Sequence, residues 1–306
     1  MYKLHSLIAL LPFINLANAH VAAWSRGMYC LNGTKPGFDD KDHSVPVVPL
    51  YQLSKHDWWM QAITGCVNFP PPKGQFLELP ANGEVKVELS TGRAGTTLGY
   101  GGRRLTRFAG PIHVPESQFG SDGKCIQNPN LHTPNETLAA GTTFAIAYKS
   151  DPFDVKPEEL TVFTVRYHTP WYREVTYEVP DLPTCPKDGC VCAWGWVANG
   201  CGQPNMYMQP FKCMVTGTPG TRPVAPAKPA VYCEHNQQEC TQGAKQMIYY
   251  NQLEGNNIEF DPAKGNPTYN ERLGFKNGRQ TDIFAERARS SPILPLPNGP
   301  LDTLLL

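Results

Sequence analysis

Phe76-Leu77-Glu78-Leu79-Pro80-Ala81-Asn82-Gly83-Glu84-Val85-Lys86-Val87-Glu88-Leu89 decides the class of fold. Residues 76–79 and 85–89 are short runs, the second alternating apolar with charged, and Ala81-Asn82-Gly83 between them is turn chemistry. A period of two is that of a strand with one face buried and the other wet. Five further runs are short and rich in β-branched or aromatic residues: Thr143 to Tyr148, Leu160 to Tyr167, Val175 to Val179, Val191 to Val197 and Met208 to Val215. About seven such strands with turns between them predict a mainly β chain, an antiparallel immunoglobulin-like or fibronectin-like β-sandwich. One helix is expected, Ser54 to Ile63, with Ser54 as cap and Trp58, Trp59 and Met60 as its apolar patch. The 27 glycines and 30 prolines imply long loops, the longest irregular stretch running from Leu89 to Thr143.

Beyond the strands, the proline-rich run Thr218 to Pro229 can neither pair in a central strand nor continue a helix. It predicts a linker, 216–230, between a sandwich domain, 20–215, and a disulfide-bonded C-terminal extension, 231–285. The extension is too short for a large core of its own and is expected to pack on the sandwich; 286–306 reads as a disordered tail.

At the other end, 1–19 reads as a secretory signal peptide. Lys3 gives a positive start, Leu7 to Leu16 a mostly apolar run too short to span a membrane, and Ala17-Asn18-Ala19 a small-x-small cleavage pattern. Secretion fits the cysteines. All 10 (Cys30, Cys66, Cys125, Cys185, Cys190, Cys192, Cys201, Cys213, Cys233 and Cys240) follow the cut, an even number that reads as a disulfide framework rather than a zinc cluster at 185–201. Asn32-Gly33-Thr34 and Asn135-Glu136-Thr137 are glycosylation acceptors, with Asn32 and Asn135 as the modified residues. Losing Lys3 leaves 26 basic against 27 acidic residues, a balance that suggests neither nucleic acid nor membrane as partner. A secreted, extracellular monomer is expected.

Cleavage after Ala19 would make His20 the first residue. A terminal histidine offers a metal two donors, its α-amine and ring Nδ1, and a second histidine completes a three-nitrogen set of the kind tetragonal copper favours. The remaining histidines of the mature chain are His43, His56, His113, His132, His168 and His235, and spacing does not choose among them. His113 and His132 lie in the long irregular stretch, from which a loop could reach the amino terminus. In Gly200-Cys201-Gly202-Gln203-Pro204-Asn205-Met206-Tyr207, a tyrosine entering a strand after a turn could set its hydroxyl at a weak axial position. Rival machinery is lacking: there is no Gly-x-Ser-x-Gly elbow and no His-Glu-x-x-His helix. Glu158 and Glu159 are adjacent, so on a strand they would point to opposite faces, poor geometry for a glycosidase pair.

The start His20-Val21-Ala22-Ala23-Trp24 with Met28-Tyr29-Cys30, together with Phe76 to Ala81, Ala145 to Asp151, Cys190-Val191-Cys192-Ala193-Trp194 and Asn205 to Met208 with Phe211-Lys212-Cys213, resembles the fungal lytic polysaccharide monooxygenases, and most closely auxiliary activity family 14. Leu253 to Asn257, Gly274 to Gly278 and Asp282 to Phe284 extend the likeness across most of 20–285. The resemblance implies one copper ion held by a histidine brace of His20 and His132, with Tyr207 axial and His113 in reserve as second ligand. It implies an external electron donor, hydrogen peroxide or oxygen as co-substrate, and an insoluble cell-wall polysaccharide, xylan associated with cellulose. One departure stands out. Many related enzymes carry glutamine two residues before the axial tyrosine, where this chain has Asn205; Gln203 is the other amide in reach, its backbone restricted by Pro204. Two other readings stay open: a secreted copper-binding protein without glycan oxidation, and a non-metal carbohydrate-binding module using Trp24 and Trp171.

Overall fold

The computed structural model describes residues 20–108, 119, 125–199 and 201–286. The expected signal peptide, 1–19, His113 and residues 287–306 of the expected tail lie outside the described residues.

In chain order the strands are β1 (Ala22–Trp24), β2 (Leu77–Pro80), β3 (Glu84–Ser90), β4 (Thr142–Ala147), β5 (Thr161–Arg166), β6 (Glu174–Glu178), β7 (Cys190–Val197), β8 (Met206–Thr216) and β9 (Gly278–Arg279). They form two layers, a three-stranded sheet β1-β3-β6 and a six-stranded sheet β2-β8-β7-β4-β5-β9. All seven expected runs are strands. Pairing is antiparallel except between β2 and β8, which run parallel with Leu77 opposite Cys213.

The turn at Ala81-Asn82-Gly83 does not close a hairpin. Its arms lie in different sheets, β2 beside β8 and β3 between β1 and β6. Asn82, at φ +59°, supplies the left-handed residue of the reversal, and Gly83 N–H donates to the Pro80 carbonyl at 2.8 Å. Leu77 and Leu79 from one sheet and Val85, Val87 and Leu89 from the other then bury in one interior. The turn residues specify the reversal, whereas burial of both apolar faces specifies the partners.

That interior also holds Trp24, Phe144, Phe163, Tyr177, Trp194, Trp196 and Phe211. A second apolar cluster covers the outer face of the larger sheet. There Ala145, Val191, Ala193 and Val197 meet Trp58 and Met60 from the segment before β2, and Met247, Tyr249, Tyr250, Tyr269 and Phe275 from the C-terminal segment. With both faces covered, all eight residues of β7 are buried, which explains an apolar run without alternation. The proline-rich run lies along the sandwich: Ala225 N–H donates to the Ile283 carbonyl at 2.8 Å, and Lys228 N–H to Ala244 at 2.9 Å.

The expected helix is shorter and broken. Ser54 caps α1 (Lys55–Trp58), its Oγ accepting from Asp57 N–H at 3.2 Å, and short 3-10 turns continue over Trp59–Thr64. Met60 (φ +50°) and Gln61 (φ +60°) break the helical path because both are drawn inward: Met60 is fully buried, and the Gln61 amide donates to the Pro46 carbonyl at 3.1 Å. Trp58 stacks on Tyr249 with ring centres 5.1 Å apart, so the aromatics of this segment are core.

All 10 cysteines are paired: Cys30–Cys66, Cys125–Cys201, Cys185–Cys190, Cys192–Cys213 and Cys233–Cys240. No helix among the described residues is long and apolar enough to cross a membrane.

Candidate metal centre

Three segments far apart in sequence meet at one end of the sandwich. His20 stands two residues before the start of β1, which is pinned to β3 with Ala22 opposite Ser90. Tyr207 is the second residue of β8 and lies opposite Trp196 of β7. His132 comes from the loop before β4, which Cys125–Cys201 ties to the turn before β8. The ring centres of His20 and His132 are 5.3 Å apart, those of His20 and Tyr207 5.8 Å, and those of His132 and Tyr207 6.2 Å.

His132 is held tightly. It is 3% exposed, and its backbone is left-handed (φ +51°), a conformation that costs a non-glycine residue about 1 kcal/mol or more and persists only where surroundings enforce it. The enforcing contacts are on both sides of the ring. Its Nδ1–H donates to the Cys201 carbonyl at 2.5 Å, so the neutral ring carries its lone pair on Nε2, which accepts from the Tyr207 hydroxyl at 3.1 Å. Gly202 gives the ring its room: a Cβ there would stand 3.4 Å from Nδ1, and φ at this glycine is +83°.

Burial governs the electrostatics. Desolvation, and secondarily the nearby His132, push the His20 ring down to about 4, and desolvation also lowers His132 against a smaller opposing effect of the Cys201 carbonyl. Burial lifts the Tyr207 phenol well above its usual range. The cluster therefore presents two neutral imidazoles and a protonated phenol. Trp196 stacks on Tyr207 at 4.4 Å and meets His132 edge-on at 5.5 Å, fixing both rings.

Of the two amides singled out, Asn205 is 2% exposed and lies against the Tyr207 hydroxyl, whereas Gln203 is exposed and makes no hydrogen bond to His132 or Tyr207 among the described residues. The Asn205 Oδ1 is buried without a partner. A buried carbonyl oxygen left unpaired costs about 1 to 3 kcal/mol. Neutral nitrogen donors beside that orphaned oxygen suit a copper ion carrying water or an oxygen ligand. The glycosylation candidates are on the surface: Asn135 is exposed, with Oδ1 accepting from Leu138 N–H at 3.0 Å, and Asn32 sits half-buried in a turn.

A second compact group is Cys30, His43 and Cys66, all buried. Its sulfurs are joined in a disulfide, and His43 Nε2–H donates to Cys30 Sγ at 3.0 Å, so this trio offers no thiolate. Cys185, Cys190, Cys192 and Cys201 are likewise consumed by three separate disulfides.

Two participants escaped the sequence reading: Trp196 and the Cys201 carbonyl. The first was within reach, since the period of two along Cys192, Trp194 and Trp196 puts all three on one face. The second, a backbone acceptor set by a disulfide pairing, has no sequence signal.

The family profile described as lytic polysaccharide monooxygenase AA14 matches residues 2–304. AA14 family lytic polysaccharide monooxygenase A of Trametes coccinea is 36% identical over 92% of this chain and 65% of its own length, so this chain spans about two thirds of that relative. AA14 family lytic polysaccharide monooxygenase B of Pycnoporus cinnabarinus is 35% identical over 92% of this chain and 74% of its own. The B protein of Talaromyces rugulosus is 35% identical over 89% and 95%. The solved structure titled CvAA9A, at 12% identity and a TM-score of 0.36 over 67% of this chain and 82% of that one, is too remote to carry an argument. A profile matched along nearly the full sequence and relatives above 30% identity place this chain in the AA14 family of lytic polysaccharide monooxygenases.

Proposed function

We propose that the mature protein, beginning at His20, is a secreted copper-dependent monooxygenase or peroxygenase that oxidatively cleaves plant cell-wall polysaccharide, xylan associated with cellulose first. The observation that supports this most is the convergence of His20, His132 and Tyr207 at one end of the sandwich, with both imidazoles neutral.

In this reading the His20 α-amine and ring and the His132 Nε2 would hold one copper ion, in place of the bond that Nε2 accepts from Tyr207. Such an ion would supply, with an external reductant and hydrogen peroxide or oxygen as oxidant, the chemistry that replaces a sugar C–H bond by C–OH with release of water, and the hydroxylated carbon would then expel the glycosidic oxygen by elimination. The chain's own work is positional. The Cys201 carbonyl holds the His132 tautomer, and the Trp196 ring holds the Tyr207 plane. Tyr207, kept protonated by burial, would present a neutral oxygen to the ion, and the buried, unpaired Asn205 Oδ1 would be an acceptor for a water or hydroxyl bound beside it.

A secreted copper carrier is the rival, motivated by asparagine rather than glutamine at 205. Incubating the copper-loaded protein with xylan-coated cellulose and a reductant tests between them. Oxidised oligosaccharides seen by mass spectrometry, and lost in His132→Ala, support the enzyme; copper binding without reductant-dependent products supports the carrier.

A further inference from the structure

Between the loop that carries His132 and the connection from β5 to β6 lies a polar cleft of about 250 Å3, lined among others by Glu136, Arg166, Tyr167, His168, Tyr172 and Asn277. Two measures put it beside the candidate metal centre. Glu136 follows His132 by four residues, a separation of at most ~14 Å along extended chain. Across the larger sheet, Arg166 stands opposite Thr142, Thr142 opposite Trp196 and Trp196 opposite Tyr207, so the cleft's arginine and the axial tyrosine occupy one transverse row. Three strand spacings make that ~15 Å.

The walls are fixed to the same loop. The Tyr172 hydroxyl donates to Glu136 Oε2 at 3.0 Å, His168 Nδ1–H to the Thr137 carbonyl at 3.2 Å, and Gly141 N–H to the Thr169 carbonyl at 2.8 Å. His168 is left-handed (φ +55°), like His132, so the structure holds both ends of this surface in a costly backbone state. The floor is set by Tyr167, whose N–H donates to Asn277 Oδ1 at 2.9 Å and whose hydroxyl donates to the Phe275 carbonyl at 2.5 Å.

What remains unspent is informative. Glu174 in the cleft is already paired with Lys86 and Arg173. Arg166, exposed, has no ion-pair partner among the described residues, and Tyr172 is 36% exposed. The Arg166 guanidinium, the Glu136 Oε1, which has no hydrogen bond among the described residues, and the part-exposed Tyr172 side chain match a ring with hydroxyls at its edge and C–H bonds on its face. We propose that this cleft binds one neutral pyranose residue of the polysaccharide chain whose oxidation takes place at His20 and His132. The inference rests on the function proposed above and adds to it the place that sets how far along the chain cleavage falls.

The test is calorimetric titration of the copper-loaded secreted protein with xylohexaose and cellohexaose. Tyr172→Ala is expected to weaken binding of the preferred hexaose at least about tenfold, Tyr172→Phe to retain most of it, and Arg166→Gln, a change at an exposed position, to weaken it in a protein of unchanged thermal transition. Equal affinities in wild type, Tyr172→Ala and Arg166→Gln overturn the subsite, as does failure of the wild type to bind either hexaose. Product analysis separates this from the proposed function. Oxidised products whose lengths ignore both substitutions leave the enzyme standing without the subsite; Tyr172-dependent hexaose binding without any oxidised product leaves a glycan cleft on a protein that is no oxidase.

Discussion

His132 is the residue on which the candidate centre turns, and its surroundings translate into protons. With the His20 ring pushed down to about 4 and His132 also lowered from the usual imidazole value, both imidazoles are deprotonated at pH 7, whereas an α-amine, with a reference value of about 7.7 to 8.0, is mostly charged. Copper uptake at pH 7 should then release about one proton per ion, measurable by calorimetry in buffers of different ionisation enthalpy; a release of two or more contradicts neutral rings. The same shift bears on the metal-free fold. Because the folded value at His20 lies below the unfolded 6.5, the unfolded chain binds more protons between roughly pH 6.5 and 4, and stability falls as pH drops through that window. His20→Gln should flatten this slope in a denaturant series. Asn205→Leu removes a buried oxygen without a partner together with an amide N–H, so the metal-free protein should lose less than about 1 kcal/mol, while the copper resonance spectrum changes. A loss above about 3 kcal/mol would mean that Oδ1 is paired after all.

Cys125–Cys201 joins the His132 loop to the segment entering β8 and so sets the carbonyl that fixes the His132 tautomer. Replacing both cysteines by serine should cost about 2 to 4 kcal/mol and lower copper affinity about 10- to 100-fold, as loss of such a supporting hydrogen bond does elsewhere. The matching change at Cys233 and Cys240 should cost stability and leave copper affinity intact. Strands with several periods, such as Val85 to Leu89, were legible because one face is wet and the other dry. β1 and β9 were not: Ala22-Ala23-Trp24 and Gly278-Arg279 are too short to show a period and exist through their partners β3 and β5. The pairing of β2 with β8 and the break at Met60 and Gln61 were hidden for a related reason, since contacts distant in sequence decide both.

The sandwich and the C-terminal segment share one apolar layer, where Met247, Tyr249, Tyr250 and Phe275 lie over Val191, Ala193 and Val197. A chain ended at residue 230 would expose both sides, and it should lose cooperative thermal unfolding and bind a hydrophobic dye; a sharp transition without dye binding would show the sandwich to be self-sufficient. The site was legible to a similar degree as the fold. His20 and Tyr207 are candidates the sequence offers as an expected terminus and a strand entry, while choosing His132 from the other histidines needs the folding of its loop against Cys201 and Trp196. Copper spectroscopy combined with intact mass on the secreted protein probes that joint arrangement most directly. A first residue of His20, one copper ion per chain and a three-nitrogen ligand set that loses a nitrogen in His132→Ala are expected; processing at another residue, or a chain that stays metal-free under saturating copper, would contradict it.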